Sequence, residues 1–487
     1  MSEEIRQLEP KVLWTKFADL NAVPRPSKKE ERVIQFMLDF GHSLGLETSI
    51  DAVGNVIIRK AASPGMEDRK MITLQSHLDM VHQKNADTLF DFDKEGIKML
   101  VAGDWVKAEG TTLGADNGIG VATIMALLES TTIPHPPLEA LFTIDEETGM
   151  TGAMGLQSGI LQGQILLNLD TEEDDEIDIG CAGGIDVTAI RTYVEENTSE
   201  GWLGYRIAIT GLQGGHSGMD IHKGLGNANK LMNALLTKAV TYSNARIATI
   251  DGGSLRNAIP RESFATLLVP EAKKDQFTIA FEPWVKAIKE EFISVEPGLN
   301  ISCEAMQSPP SSVMELEAQQ QLLEALEKGH NGVYAMSATM EDLVQTSNNI
   351  ARVQVQEGTI KIGCLTRSSL NSEKMELAEL LKGVFEEMGC TVSFDGDYPG
   401  WNPNPDSAIL KVLVAQYKAL FKATPRVVAC HAGLECGILG QNYPDMDMIS
   451  FGPTIEGAHS PDERVSISSV QKYWKFVLEI LKHAPTA

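Results

Sequence analysis

The sequence predicts an α/β protein in which a mainly parallel sheet is interrupted by a second, α+β portion. Three observations predict it. Up to about residue 180, apolar runs bounded by Gly, Pro and Asp alternate with helical stretches, which is typical of strands buried on both faces of a parallel sheet. From about residue 185, apolar and polar residues alternate along the strands, as in an antiparallel sheet. After about residue 398, the first pattern returns.

The elements follow in chain order. In the first portion, "NVIIRK", "MITLQSH", "LEALFTID" and "QILLNLD" predict strands, and "GIGVATIMALLES" predicts a helix. In the middle, "YRIAIT", "SFATLLV", "TIKIGCLT" and "CTVSF" predict strands. The middle helices are predicted over "SSVMELEAQQQLLEALEKGHNG", from its serine to its glycine, and over "NSEKMELAELLKGVFEEMG". The Pro- and Gly-rich "YPGWNPNPDS" marks a boundary, and helix and strand signals alternate again after it.

The composition excludes several classes of function. The 487 residues carry a net charge of -26, which repels phosphate backbones and anionic lipid, so neither nucleic acid nor a membrane surface is expected as a partner. No stretch has the ~18 apolar residues of a membrane span, and the start of the chain lacks the apolar segment of a secretory signal. The six cysteines form no CxxC pair, and Cys430, His431 and Cys436 lack the spacing of a structural zinc site. A cytoplasmic protein is expected.

The run "MITLQSHLDMV" ends a predicted strand with His77 and Asp79. Residues i and i+2 of a strand point to the same side, so both side chains face one way at the carboxyl end of the strand, where open α/β sheets form their sites. A metal-bound imidazole usually needs a carboxylate on its other nitrogen, and Asp79 can supply it. An ordinary hydrogen-bonded pair explains the same two residues, so this motif alone does not identify a metal site.

Further acidic residues follow the neighbouring apolar runs. Asp116 lies in the Gly-rich turn "GTTLGADNGIG" before a helix, where a helix N-cap is the alternative role. Asp145, Glu146 and Glu147 end the strand in "FTIDEETG", where a solvated acidic turn is the alternative. Asp170 ends the strand in "LLNLDTEEDDE". Three strands that each end in carboxylate or imidazole at one sheet edge predict a shared site more readily than three unrelated structural roles.

The residue types indicate hydrolytic chemistry. Carboxylate and imidazole without thiolate suit a catalytic Zn, Co or Mn site rather than a structural thiolate zinc. Two adjacent ions need a bridging carboxylate, and one carboxylate must stay unligated as the general base. The pair Glu146 and Glu147 could divide these two roles. The acids from Glu172 to Glu176 are interpreted as a solvated loop.

The motifs resemble those of the zinc-dependent dipeptidase, tripeptidase and aminoacylase superfamily, and within it the bacterial aminoacyl-histidine (Xaa-His) dipeptidases. They occur in the expected order over essentially the whole chain: "SHLDMV", "GTTLGADNGIG", "DEETGM", "NLDTEE", "GGHSG", "LRNAIPRE", "HAGLECG" and "GPTIEGAHSPDE". The resemblance implies a zinc-exopeptidase catalytic domain formed by residues 1–184 and 398–487. It also implies a lid and dimerisation domain, residues 185–397, inserted into the catalytic domain.

The resemblance implies two zinc ions per chain, for which Co²⁺ or Mn²⁺ can substitute. One ion is bound by His77 and Asp170, the other by Glu147 and His459, and both by the bridging Asp116. The peptide between Asp116 and Asn117 is expected to be cis. Without the resemblance, His459 in "EGAHSPDE" would be interpreted as a loop histidine.

The resemblance also assigns the remaining site residues. Glu146 is the general base and acid, and Asp79 orients His77. Three residues of the lid are expected to contact the substrate: His216, Asn257 and Arg367. Taken alone, these three would be interpreted as a turn histidine, a strand-end cap and a salt-bridge partner. A homodimer through the lid domains is expected.

The expected function is metal-dependent hydrolysis of dipeptides, including Xaa-His peptides and β-alanyl-histidine (carnosine). Glu146 activates a water shared by the two ions, and Arg367 and Asn257 hold the carboxylate of the substrate. Two alternatives remain open. One is an aminoacylase-like deacylase with the same metal core, and the other is a non-catalytic metal-binding protein.

Overall fold

The protein was analysed as a computed structural model, which describes residues 2–85, 87–198, 200–338, 340 and 342–487. The α-helices are α1 (Ser2–Ile5), α2 (Lys11–Asn21), α3 (Glu31–Ser43), α4 (Ala115–Glu129), α5 (Glu146–Gly149), α6 (Thr151–Gly155), α7 (Ala228–Ser243), α8 (Lys274–Phe292), α9 (Leu316–Lys328), α10 (Asn371–Glu387), α11 (Ala408–Phe421), α12 (Glu435–Asn442) and α13 (Ile467–Lys482). Short 3₁₀ turns cover Ile221–Lys223 and Glu271–Lys273.

The strands are β1 (Glu47–Ile50), β2 (Val56–Lys60), β3 (Ile72–His77), β4 (Met99–Ala102), β5 (Trp105–Ala108), β6 (Leu138–Thr143), β7 (Ile165–Asn168), β8 (Glu176–Cys181), β9 (Gly183–Thr192), β10 (Glu195–Asn197), β11 (Trp202–Thr210), β12 (Gly215–His216), β13 (Arg246–Gly252), β14 (Ala258–Ile259), β15 (Ser263–Pro270), β16 (Asn300–Ala305), β17 (Ser312–Met314), β18 (Gly332–Met336), β19 (Val344–Gln356), β20 (Thr359–Ser368), β21 (Thr391–Tyr398), β22 (Arg426–Cys430), β23 (Asp447–Ser450), β24 (Ile455–Glu456) and β25 (Arg464–Ser466).

The chain divides into two compact units. The first unit comprises Met1–Cys181, Trp401–Ala429 and Leu434–Ala487, and the second comprises Ala182–Gly400 and Cys430–Gly433. The segment Cys430–Gly433 lies outside the range 185–397 predicted for the inserted domain. It belongs to the second unit because the Ala182 N–H donates to the carbonyls of Cys430 and Ala432, at 2.9 and 3.0 Å.

The first unit contains an eight-stranded sheet in the order β1-β2-β6-β3-β7-β23-β8-β22, as far as the described residues show. Its four central strands, β6, β3, β7 and β23, run parallel. Antiparallel strands flank them, since β2 pairs antiparallel with β6 and β8 with β23. Every residue of β3, β6 and β7 is buried, which explains their continuous apolar runs. The α/β prediction is confirmed, with parallel pairing concentrated in the centre of the sheet.

Helix α4 is buried almost all round and contacts α2 and β3. A small residue is required where it approaches the sheet. A Cβ atom on Gly120 would lie 2.4 Å from the Ser76 hydroxyl and 2.8 Å from the Leu169 carbonyl, closer than packed atoms tolerate. The glycines of the sequence therefore let the first turn of α4 reach the carboxyl ends of β3 and β7.

In its described residues, the second unit contains a nine-stranded sheet whose pairings are antiparallel, in the order β16-β11-β15-β13-β19-β20-β9-β21 with β18 beside β19. Its core joins apolar residues of this sheet to those of α7, α8, α9 and α10. The antiparallel α+β prediction for this portion is confirmed. One helix boundary is wrong: "SVM" forms β17 against β10, with Met314 opposite Glu195, so α9 begins only at Leu316. Backbone pairing with a distant strand overrides the local helix-start signal of the serines.

Among the described residues, no helix is long and apolar enough to cross a membrane.

Candidate metal centre

The carboxyl ends of the parallel strands bring the predicted ligands of the first unit together. Strand β3 ends at His77, opposite Thr143 of β6, and two residues beyond Thr143 the chain turns at Asp145. Strand β7 ends two residues before Asp170. Because parallel strands end at the same edge, the three segments deliver their side chains to one place. Asp116 comes from the first turn of α4, and His459 from the loop after β24.

One group of ligand atoms joins His77, Asp116 and Asp170, whose donor atoms lie within 4.8 Å of one another. The Nε2 atom of His77 lies 3.1 Å from Asp116 Oδ1 and 3.5 Å from Asp170 Oδ1. The imidazole is almost fully buried, with 1% of its surface exposed. This group is large enough to hold one cation.

A second group joins Asp116, Glu147 and His459. The Nε2 atom of His459 lies 3.2 Å from Asp116 Oδ2 and 3.0 Å from Glu147 Oε2. The two oxygens of Asp116 therefore face different histidines, and the two groups share this carboxylate. The peptide between Asp116 and Asn117 is cis, as predicted. Asp116 is not a helix N-cap, because Gly114 occupies that position and no side chain of the turn caps the helix.

Asp79 fixes both the histidine and the acidic turn. Its Oδ1 lies 3.4 Å from His77 Nδ1, and the same nitrogen lies 3.2 Å from the Asp79 carbonyl. The backbone N–H groups of Glu146 and Glu147 donate to its two oxygens, at 3.0 and 3.3 Å. The Ser27 hydroxyl donates to Oδ2 at 2.7 Å. Because all these groups meet on one buried carboxylate, Asp79 holds the imidazole and the turn of Glu146 in a fixed relation.

Burial and neighbouring charges act on the pKa values of the histidines and carboxyls of the site. Although burial disfavours its charge, the carboxylates of Asp170, Asp116 and Asp79 hold the pKa of His77 well above its ordinary value. Hydrogen bonds to Asp116 and Glu147 raise the pKa of His459 to about 11. Burial raises the pKa of Asp170. Burial also raises the pKa of Glu147, and the nearby Asp116 carboxylate adds to this. The cluster thus concentrates negative charge, which a bound cation would relieve in place of protons.

The residues fit divalent metal ions. Glu147 Oε1 and Asp170 Oδ1 are buried atoms without a hydrogen-bond donor among the described residues, although buried carboxylate oxygens normally have one. A cation satisfies such atoms. The donors are carboxylate oxygens and imidazole nitrogens only, which suits zinc, cobalt or manganese in a hydrolytic site.

Glu146 lies beside the two groups. One of its carboxylate oxygens lies within 4.8 Å of a ring nitrogen of His77 and of a carboxylate oxygen of Glu147. Burial raises the pKa of Glu146 well above its ordinary value, and the charges of Asp170 and Glu147 add to the effect. A raised pKa makes the carboxylate a stronger base, which suits a general base.

Sequence reasoning missed two buried residues that hold the ligand segments. Glu463 accepts hydrogen bonds from backbone N–H groups of the α4 turn. Arg25, 1% exposed, donates to the carbonyls of Leu78, Asp79 and Gly114. Neither residue belongs to a periodic pattern, and an acid in a loop or an arginine before a proline has no distinctive local signal. The acid in "HSPDE" could have been noticed only as part of its motif.

A row of buried polar side chains runs across the sheet beneath the ligands. We define the polar row by its members in spatial order: Glu435, Gln75, Asn168, Ser450, Thr171 and Asp178. Its five contacts measure 2.6 Å from Gln75 to Glu435, 2.5 Å from Asn168 to Gln75, 2.5 Å from Ser450 to Asn168, 2.8 Å between Ser450 and Thr171, and 2.8 Å between Thr171 and Asp178. A buried carboxyl stands at each end, and burial raises the pKa of Glu435 to about 8 and that of Asp178 to about 7.

Two acidic positions differ from their sequence interpretation. Glu172 is half-buried rather than solvated, and burial, with the charges of Asp116 and Asp170, raises its pKa to about 9. Asp145 is buried and has an ion pair with Lys28 at 2.6 Å. Both follow from the crowding of acids at one sheet edge.

The three residues predicted to contact substrate lie in the second unit. His216 is in β12, and its Nδ1 accepts the N–H groups of Gly218 and Met219 at 3.2 and 3.0 Å. Asn257 is exposed in the turn before β14, and its carbonyl accepts the Ser217 N–H at 2.8 Å. Strands β12 and β14 pair, so these two segments are neighbours.

Arg367, in β20, is 4% exposed and donates from Nη1 to the Tyr398 hydroxyl at 2.8 Å. Within the part of the chain that the structure describes, its Nε has no acceptor. Burial and the Arg367 charge lower the pKa of His216 to about 4. His431, which sequence reasoning did not select, is also close to these charges. Its Nε2 lies 2.8 Å from the Ser347 hydroxyl, and burial followed by the Arg367 and His216 charges lowers its pKa to about 3. The second unit thus gathers cationic and imidazole groups that suit an anion.

Comparisons with known proteins identify similar proteins over essentially the whole chain. Residues 73–483 match the model of peptidase family M20/M25/M40. The chain is 42% identical to the cytosol non-specific dipeptidase of Escherichia coli over 482 residues, 99% of each protein. The crystal structure of aminoacylhistidine dipeptidase from Vibrio alginolyticus is similar over 100% of both chains, with 41% identity and a TM-score of 0.92. An aminopeptidase from Bacillus cereus, 16% identical over 98% of both chains with a TM-score of 0.57, shares the fold.

Proposed function

The chain belongs to peptidase family M20/M25/M40, and from that membership we propose that it is a metal-dependent dipeptidase. The observation that carries the proposal is similarity over the full length to two proteins named as dipeptidases, at 42% and 41% identity. The cluster around Asp116 supplies the chemistry, since it holds the carboxylate and imidazole groups of a hydrolytic metal site.

We propose two divalent ions per chain, zinc in the first instance, with Co²⁺ or Mn²⁺ able to substitute. His77 and Asp170 would hold one ion, Glu147 and His459 the other, and Asp116 both. When bound, such ions polarise a peptide carbonyl and lower the pKa of a bound water to about 7. The support is that each proposed pair lies with Asp116 in one compact group and that two of the carboxylate oxygens lack donors.

Glu146 is the proposed general base and acid. Its carboxylate takes a proton from the attacking water and later gives that proton to the nitrogen of the leaving amine. Asp79 holds Glu146 for this task, because it accepts the Glu146 N–H at 3.0 Å while facing His77. Burial raises the pKa of Glu146, which makes its carboxylate a stronger base, as a general base requires.

The second unit is the proposed lid, and His216, Asn257 and Arg367 are its proposed substrate contacts. A guanidinium binds a carboxylate through paired hydrogen bonds, and the buried Arg367 Nε lacks an acceptor. Arg367 with Asn257 would hold the carboxylate of a dipeptide and so limit the length of the substrate. The imidazole of His216 would stabilise the oxyanion that forms during attack.

We also propose a homodimer formed through the lids. In the described part of the chain the nine-stranded sheet ends at β16 and β21, and an edge strand presents unpaired backbone groups to a partner. The Escherichia coli relative is named for the cytosol, and we propose a cytoplasmic location here.

The substrates are proposed to be dipeptides with a free N-terminus, including Xaa-His and β-alanyl-histidine (carnosine). The histidine preference rests on the name of the Vibrio relative.

The test is a panel of β-Ala-His, Gly-His, Ala-Ala, Gly-Gly-His and N-acetyl-His with the zinc-loaded protein, and with chelated protein as control. Rapid cleavage of dipeptides that chelation removes and zinc restores is expected. Cleavage of N-acetyl-His with the dipeptides untouched would instead identify a deacylase, and no zinc-dependent cleavage would identify a non-catalytic protein.

A further inference from the structure

The turn that carries Asp116 enters helix α4 without a capping side chain of its own. Gly114 occupies the N-cap position with φ of 70°, in the left-handed region, and contributes no side chain. The first N–H groups of a helix have no partner within the helix, and here they are buried. Another part of the chain must therefore satisfy them.

Glu463 satisfies them from about 350 residues away. Its Oε2 accepts the N–H groups of Leu113 and Gly114, at 2.6 and 2.9 Å. Its Oε1 accepts those of Ala115 and Asp116, at 2.7 and 3.3 Å. Only 2% of the Glu463 surface is exposed. Four charge-assisted hydrogen bonds to one buried carboxylate fix the position of the turn.

Arg25 holds the same turn from its carbonyl side. Its Nη2 donates to the Gly114 carbonyl at 2.5 Å, and its Nη1 donates to the Leu78 and Asp79 carbonyls at 3.0 Å. Arg25 thereby ties the α4 turn to the end of β3, where His77 lies. Glu463 holds the same turn from its N–H side.

Glu463 also stands four residues after His459, in a loop that is closed on itself. The Ser460 N–H donates to the Gly457 carbonyl at 3.1 Å, and the Glu463 N–H donates to the Ser460 carbonyl at 3.0 Å. These bonds limit the freedom of the chain between His459 and Glu463. A carboxylate fixed on the α4 turn therefore keeps the backbone of His459 close to that turn.

We propose that Glu463 is a positioning residue that sets the spacing between Asp116 and His459, and that it thereby determines the affinity for the ion held by Asp116, Glu147 and His459. The inference rests on the proposed function, because it concerns the second of the two proposed ions. Glu463 positions two of the three ligands of that ion: Asp116 through the hydrogen bond from its N–H, and His459 through the loop that carries both residues. It positions one ligand of the other ion, since His77 and Asp170 come from strand ends.

The test is a zinc titration of the full chain against a chromophoric chelator, with wild type and Glu463→Gln compared. Glutamine keeps the shape but offers one oxygen to four N–H groups and turns its own NH₂ towards them. The affinity for one zinc ion is expected to fall by about 10- to 100-fold, the usual effect of removing a group that orients a ligand. The other zinc ion should stay within about 3-fold of its wild-type affinity, within the context-dependent scatter of such effects.

Two further variants assign the effect. His459→Ala, which removes a ligand of the same ion, should give the same pattern of one tight and one weakened ion. Glu456→Gln is the matched control, because it removes an equal charge from an exposed glutamate on the same hairpin that pairs with Arg464. It should leave both affinities unchanged.

The outcomes separate the two proposals. The role of Glu463 is overturned if the wild type binds two zinc ions tightly and Glu463→Gln binds both with unchanged affinity or with equally weakened affinity. Fewer than two ions in the wild type would contradict the two-ion part of the proposed function. Thermal unfolding with chelator present tells whether the apo-protein is folded. If the glutamine variant does not fold, Glu463→Asp, which keeps the charge, replaces it. The expected result is the same: the affinity for one zinc ion falls more than the affinity for the other.

Discussion

Replacement of Asp178 by Asn should make the first unit more stable at alkaline pH, because the polar row needs a proton at one of its ends. The row has five contacts and four members between its terminal carboxyls. Each of the four donates one proton along the row and accepts one. Four donors cannot make five hydrogen bonds, so the fifth forms only when a terminal carboxyl is protonated.

The directions of the hydrogen bonds that the row's amides donate and accept assign that proton to Asp178. Asn168 donates to Gln75, and Ser450 donates to Asn168. The Ser450 proton is then used. When Asp178 is ionised, Thr171 donates to it at 2.8 Å, and no proton lies between Ser450 and Thr171. When Asp178 is protonated, it can donate to Thr171, and Thr171 can donate to Ser450. Burial raises the pKa of Asp178 to about 7, with the Glu176 charge adding to the effect and Thr171 and Arg426 opposing it.

The magnitude follows from that pKa. The folded protein keeps a proton on Asp178 that the unfolded chain, with an ordinary pKa of 3.8, releases. The contribution of Asp178 to stability is therefore greatest at low pH and declines as pH rises from about 4 to 7. Asn cannot ionise and donates from its amide. The stability of Asp178→Asn relative to wild type should grow by about 3 kcal/mol between pH 5 and pH 8.

Calorimetric unfolding of the apo-proteins at pH 5 and pH 8 measures this growth. For a unit of this size, about 3 kcal/mol corresponds to a gain of about 5 °C in Tm. Asp175→Asn is the control, since Asp175 lies on the neighbouring turn with its pKa lowered by the Arg426 hydrogen bond. It should show no such gain. The proton count is refuted if neither Asp178→Asn nor Glu435→Gln changes the pH dependence of Tm.

The remaining predictions concern the proposed site and the second unit. Glu146→Gln should lower kcat by at least about 100-fold, the usual contribution of a general base, while metal analysis finds the wild-type zinc content; near-normal turnover would contradict the assignment. Asp79→Asn should weaken zinc binding by about 10- to 100-fold in a chelator titration, because it loses acceptors that hold His77 and the Glu146 turn; unchanged affinity would remove its orienting role. Arg367→Ala should raise KM and lower kcat/KM for dipeptides by about 10- to 100-fold, the value of a hydrogen-bonded charge, with zinc content as control; equal loss on a substrate without a carboxylate would count against it. His431 has a pKa lowered to about 3 by burial and by the Arg367, His216 and His222 charges. The contribution of neutral His431 to stability is present above pH 6.5 and is lost as pH falls. His431→Gln should therefore reduce the loss of unfolding free energy of the second unit between pH 7 and pH 5 by about 2 kcal/mol. The prediction is refuted if the difference in Tm between these two pH values is the same in the variant and the wild type.

The sequence by itself determined the fold class, and it predicted the residues of the candidate site. Continuous apolar runs predicted the buried parallel strands, because a strand covered on both faces must be apolar at every position. The position of His77 and Asp170 at strand ends followed from the same pattern. Their convergence needed only the rule that parallel strands open their sites at one edge. The motifs then supplied His459, which no local pattern distinguishes from an ordinary loop histidine.

Local signals failed where a distant partner decided the conformation. The serines before "VMELEAQQ" resemble a helix start, yet Ser312–Met314 forms β17 because β10 offers it backbone hydrogen bonds. Pairing between strands more than 100 residues apart leaves no periodic trace in either segment. Helix propensity therefore gave the right element with the wrong first residue.

Only the tertiary structure decided which groups hold the ligands in place. Glu463 caps a helix turn about 350 residues before it, and Glu435 reaches Gln75 across 360 residues. A hydrogen bond of this kind requires only that two polar groups meet in a dry interior, and it imposes no spacing on the sequence. The sequence specifies what a strand or a motif presents, because those depend on neighbours along the chain. The partners of buried polar groups depend on which segments the folded chain brings together.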